Sequence, residues 1–251
     1  MWSALMWGGI SGSAVLLGAL IAGWFEIKKA IIAAIMAFGT GILMGAAAYE
    51  LLGDAVEDGG LLPTAIGFLL GAIVFTGFDW MIARKGGKNR KRSGGQDDKA
   101  SGKSSGDSGS GLGIFIGTVM DAIPESVMIG ASLLAGGSVS WLLVISIFVS
   151  NIPEGLSSTV GLKQGGYSRR TIFLMWGIVL AISALASMAG YTLLEHAPEP
   201  LMAGIGAFAG GGIIAMIAST MMPEAYEEGG PWVGLITALG LFTSLVLSSL
   251  S

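Results

Sequence analysis

Two short stretches of this chain hold carboxylates where a carboxylate is costly. Asp121-Ala122-Ile123-Pro124-Glu125-Ser126 is answered, 29 residues on, by Ser150-Asn151-Ile152-Pro153-Glu154-Gly155, and each lies inside a long apolar run. An ionised carboxylate at the centre of a bilayer costs about 2.5–3.5 kcal/mol on insertion scales. Asp121 and Glu125 are four residues apart, as are Ser150 and Glu154. On helices each pair therefore shares a face, with about 6 Å of rise between its members. Pro124 and Pro153 lack an N–H and deprive the carbonyls of Met120 and Val149 of their usual partners. The backbone is expected to open there and build a polar chamber. Helices crossing at the two prolines would gather Asp121, Glu125, Ser150, Asn151 and Glu154, joined by Glu50 from an earlier apolar run. Every donor in that set is an oxygen, so a divalent cation or protons would supply the compensating charge.

The elements that must position these groups follow from composition. Of 251 residues, 53% are hydrophobic and 12% charged, and the mean hydropathy is +0.75. A soluble domain carries about 25% charged residues, so the expected class is an all-α membrane protein. There is no cysteine, which removes thiolate metal sites, disulfides and cysteine nucleophiles. The single histidine, His196, falls in a short connection. Eight apolar stretches can cross a bilayer, near 3–25, 30–52, 61–83, 111–135, 139–162, 171–194, 201–222 and 231–249.

All 13 lysines and arginines lie after the first, third and fifth of these stretches. Those are alternate loops, so the positive-inside rule puts them in the cytoplasm and both termini outside it. The lysines come after the first apolar run rather than before it, which favours a retained span over a cleaved leader. Residues 84–110 read as a flexible basic cytoplasmic linker, dividing spans one to three (1–83) from spans four to eight with the site (111–251).

A second internal repeat flanks the first. Ala37-Phe38 through Gly59-Gly60 matches Ala207-Phe208 through Gly229-Gly230 at a constant offset, pairing Gly41 with Gly211 and Glu57 with Glu227. The second span and the seventh run in opposite directions, so the repeat is inverted. Eight helices in a 3+2+3 inverted-repeat bundle is transporter architecture. The many glycines read as close helix packing in lipid rather than ligand contacts. Asp54, Glu57 and Asp58 at one end, and Glu224, Glu227 and Glu228 at the other, read as solvated loop charges that raise local cation concentration.

At the doubled Ile-Pro-Glu the chain resembles the ZIP family of zinc and iron permeases. That family has eight spans, both ends outside, a long loop after the third span and a binuclear metal site on the fourth and fifth. Its fourth-span motif reads His-Asn-x-Pro-Glu-Gly. Asp121 stands where the family has its first ligand histidine, Ala122 stands at its asparagine, and Glu125 keeps the carboxylate. On the fifth span Ser150 and Asn151 take the two positions before the proline step, and Glu154 keeps its carboxylate. The seventh-span carboxylate of some members falls at Thr220, with Glu224 following in a Pro-Glu step.

What the resemblance implies is transport of a divalent cation as substrate, with Zn²⁺ the family's ion and no resident cofactor. The departures imply one bound metal rather than two, and an all-oxygen site that suits Mn²⁺, Mg²⁺ or Fe²⁺ better than imidazole does. The long loop lacks a histidine-rich tract. The expected partners are the metal ion and the bilayer of a plasma or inner membrane, with a homodimer left open and no nucleic acid. Two rivals stay open, a carboxylate-based carrier of protons or organic cations and a non-transporting sensor or scaffold. An enzyme is disfavoured, since no His-Glu-x-x-His or Gly-x-Ser-x-Gly motif is present.

Overall fold

The computed structural model describes residues 1–25, 27–84, 108–136 and 138–250. Its elements are α1 Trp2–Trp24, α2 Lys29–Ala46, a π-helical segment Ala47–Gly53, α3 Asp54–Gly59, α4 Leu61–Arg84 and α5 Ser108–Gly136. They continue with α6 Trp141–Gln164, α7 Arg169–Leu194, α8 Glu199–Met216, a second π segment Ile217–Met221, α9 Met222–Gly229 and α10 Trp232–Ser248. Among the described residues there is no strand. The chain is an all-α membrane protein. Seven helical stretches are long and apolar enough to cross a bilayer, and α10, with 17 residues, is the eighth apolar helix. At about 26 Å it lies at the short end of what crosses a hydrocarbon core.

Two of the expected spans are corrected. The second does not stop near residue 52 nor the seventh near 222; each runs on through a π segment and a short helix, to Gly59 and Gly229. The linker expected at 84–110 is trimmed as well, because Arg84 closes α4 and Ser108 opens α5. Its remainder, 85–107, lies outside the described residues.

Glycine contacts fix the relative directions. A Cβ at Gly18 would overlap the carbonyl oxygen of Ile152, and one at Gly155 that of Val15. With Lys163 Nζ donating to the Ala22 carbonyl (2.6 Å) and Trp7 edge-on to Trp141, α1 and α6 run the same way. Gly8 abuts Ser187 and Gly23 faces Phe173, so α7 runs against α1. By the same logic α5 pairs with α7, α4 with α8 and α2 with α10, each in parallel. Such backbone-to-backbone approach is what small residues allow in lipid, where dispersion rather than the hydrophobic effect holds helices together.

The inverted repeat is present to the residue. At the offset pairing Gly41 with Gly211, Lys29 falls on Glu199, Ala46 on Met216 and Gly60 on Gly230, so α2 and α8 start and stop at equivalent positions. Both stretches end on a glycine with positive φ, 83° at Gly60 and 63° at Gly230, a conformation that only glycine adopts without strain. Gly41 packs on Thr237–Leu241 of α10 and Gly211 on Phe68–Ala72 of α4, the same contact in each half. Gly59 lies on Pro200 and Ala203, while Gly229 lies beside Ala33; α2–α3 and α8–α9 are therefore antiparallel.

Burial ranks the spans. About 72% of the core window of α6 is inside the protein, against 17% for α4. Behind α6, Trp176 of α7 is fully buried and its Nε1 donates to Thr159 Oγ1 at 2.9 Å. Trp176→Phe leaves that hydroxyl without its donor and should cost about 1–3 kcal/mol. Trp232→Phe, at an exposed position, should stay within about 0.5 kcal/mol. Thermal unfolding of the two variants in one detergent checks this.

Candidate functional site

α5 and α6 each carry one copy of the doubled motif near mid-length. Asp121, Glu125 and Ser126 are buried on α5, and Ser150, Asn151 and Glu154 on α6. Glu125 and Glu154 are 2% and 4% exposed, so neither faces lipid. Among the described residues, the buried polar side chains are carboxylates, hydroxyls and one amide, with no lysine, arginine or histidine. The Ser150 hydroxyl donates back to the Ile147 carbonyl at 3.1 Å, which spends its proton and leaves its lone pairs available. The polar side chains buried at these positions of α5 and α6 therefore present oxygens, with the Asn151 amide nitrogen beside them.

The expected opening of the backbone at the prolines does not occur. α5 and α6 run as continuous α-helix through Pro124 and Pro153. A proline costs a span one hydrogen bond, and neighbouring helices and local adjustment absorb that loss. The departures from α geometry fall instead on the flanking pair, at Ala47–Gly53 and Ile217–Met221, equivalent positions of the inverted repeat. Single-turn π segments inside α-helices occur often at functional sites.

Glu50 lies in the first π segment and is only half-buried. α2 meets α6 where Gly39 packs on the backbone of Ser150, within 3.0 Å of its Cα for a Cβ built there. From that crossing Glu50 is a further eleven residues along, about 16 Å of rise towards the end that carries Asp54. Glu50 thus belongs to the mouth of that end rather than to the level of Ser150. Its repeat partner, Thr220, donates to the Met216 carbonyl at 2.6 Å.

Glu224 is the residue that reading the sequence missed. Expected to be a solvated loop charge, it is 5% exposed and accepts a hydrogen bond from Ser157 of α6. The run Glu224-x-x-Glu227-Glu228-Gly229-Gly230 looks like a loop, yet it is helical because α8 continues beyond its π segment. The available signal was the Pro223-Glu224 step, one of four Pro-Glu steps in the chain. Glu57, Asp58 and Glu227 are exposed, as expected.

Among the described residues, no three histidine, aspartate or glutamate side chains come together as a group that could hold a metal ion. The expectation that Asp121, Glu125 and Glu154 form one three-carboxylate shell is therefore not what this conformation displays. No family model matches the chain, and no curated protein matches it. The likeness to zinc and iron permeases rests on the motif residues and the topology.

Proposed function

We propose that the protein is a divalent-cation transporter of ZIP-like type, carrying its ion between Glu125 and Glu154. The observation behind this is the pair itself: two buried glutamates, each one residue after a proline, on the two central helices of an inverted repeat. In a bilayer these charges need compensation, and an ion held by carboxylates, Ser150 and the Asn151 amide oxygen provides it. Hard divalent ions are held by one or two carboxylates completed with neutral oxygens and water, so a three-carboxylate cage is not required. Zn²⁺ is the ion of the resembled family, whereas the all-oxygen donor set favours Mn²⁺ or Fe²⁺.

The basic residues at the start of α2, the end of α6 and the start of α7 gather at one end of the bundle, where Lys163 reaches Ala22. With that end read as cytoplasmic, both termini would lie outside, and inward transport by alternating access is the direction that the resembled family implies. The protein then sits in a plasma or inner membrane, uses no resident cofactor, and acts as a carrier rather than an enzyme. That no three carboxylates come together among the described residues favours one other reading, a proton or organic-cation carrier with the same glutamates. Calorimetry on the detergent-purified protein separates the two. Heat of Zn²⁺ or Mn²⁺ binding that disappears in Glu125→Gln supports the metal; no metal heat, with uptake of protons intact, supports the rival.

A further inference from the structure

The two ends of the bundle are built on equivalent positions but carry opposite charge patterns. At the basic end, Lys29 at the start of α2 pairs with Glu228 at the end of α9, Nζ to Oε1 at 3.3 Å. At the other end the equivalent positions hold Glu199 and Asp58, both acidic and both exposed. The same contrast recurs one turn inward. Glu224 is buried against Ser157, while its equivalent Asp54 is exposed. One end is latched, and the other carries like charges at the same places.

Ser157 also continues the site. Ser146, Ser150, Glu154 and Ser157 fall within an arc of about 80° on α6, a polar stripe some 16 Å long by helix rise. All four are buried. Ser146 and Ser150 donate to the carbonyls of Leu142 and Ile147, so the upper hydroxyls offer lone pairs outward. Ser157 instead donates across to Glu224 of the neighbouring element. The stripe therefore leads from Glu154 towards the basic end and stops at a carboxylate.

We propose that Glu224 is a further cation-binding residue, which receives the divalent ion from Glu154 on its way to the basic end, and that its hydrogen bond to Ser157 shuts this end until the ion arrives. This rests on the transport reading above. An ion at Glu224 competes with the Ser157 proton for the same carboxylate oxygen, so ion arrival and opening are one event. Among the described residues, Asp54 and Glu50 at the opposite mouth have no such latch.

The chain has no cysteine, which makes single-cysteine reporters direct. Ser158→Cys, fully buried beside Ser157, should react slowly with a membrane-impermeant maleimide applied to the basic end. Adding Ser157→Ala or Glu224→Ala should speed that reaction about tenfold or more, the equivalent of removing one hydrogen bond to a charged group. Unchanged labelling in both would overturn the latch. Glu224→Gln still accepts from Ser157 and should keep the slow labelling while Zn²⁺ uptake into proteoliposomes falls about tenfold. Parent-like uptake by Glu224→Gln, with uptake lost in Glu125→Gln and Glu154→Gln, removes Glu224 from the pathway and leaves the transport reading standing. Parent-like uptake by all three glutamine variants ends both.

Discussion

Glu154→Gln is expected to lower divalent-cation uptake by the reconstituted protein about a hundredfold or more, with no loss of thermal stability. Glutamine keeps the volume and the hydrogen-bonding reach of glutamate and removes only its charge. Outer-shell partners of metal sites already cost about 10–100-fold in affinity when mutated, so a direct carboxylate ligand sets the larger effect. Stability should move the other way. Glu154 is buried in the middle of a span, where a charge without its ion is a liability that a neutral isostere relieves. The thermal midpoint of the metal-free variant should therefore equal or exceed that of the parent, the signature of a residue kept for function at the expense of stability. Asn151→Ala should fall between Glu154→Gln and the parent in uptake, because an amide oxygen is a weaker ligand. Ile152→Leu, on the half-buried face between them, should transport like the parent. Uptake and midpoint falling together in Glu154→Gln would instead mark the glutamate as a packing residue.

The spans were legible because eight apolar runs separated by charge or glycine leave few alternatives. The inverted repeat was legible in Gly41, Gly211 and the paired terminal glycines, since close backbone approach and positive φ admit little else. Local backbone geometry was not legible. Proline is the residue that breaks helices, so Pro124 and Pro153 drew attention to α5 and α6. Yet these helices are packed on several sides and stay regular, while the π segments arise in Ala47–Gly53, which has no proline at all. A π segment is a choice among hydrogen-bond partners made by tertiary packing, and side-chain type barely records it. Glu224 was hidden for the related reason that a run of glutamates before two glycines reads as an exit into solvent. Its burial depends on α9 continuing α8 and on Ser157 waiting across the interface. Neither fact is local to Glu224.

Gly155→Val should be among the most damaging substitutions that leave every polar group in place. A Cβ at Gly155 would overlap the Val15 carbonyl oxygen and crowd that residue's Cα and carbonyl carbon. Those are backbone atoms, which cannot rotate aside as a side chain does. The helices must separate instead, and overpacking of this kind costs about 1–3 kcal/mol, more when backbone has to move. The separation reaches the site directly, because Gly155 follows Glu154 and Gly18 of α1 packs on the Ile152 carbonyl. A shift of about 1 Å in a binding constellation can cost about a hundredfold in rate. Loss of uptake should therefore exceed what the loss of folded protein explains. Gly177→Val is the control, since nothing lies within 4 Å of a Cβ there. It should unfold and transport within error of the parent. Equal midpoints for the two valine variants in one detergent would show that α1 does not hold α6 in register through this contact, and the positioning of Glu154 would then need another source.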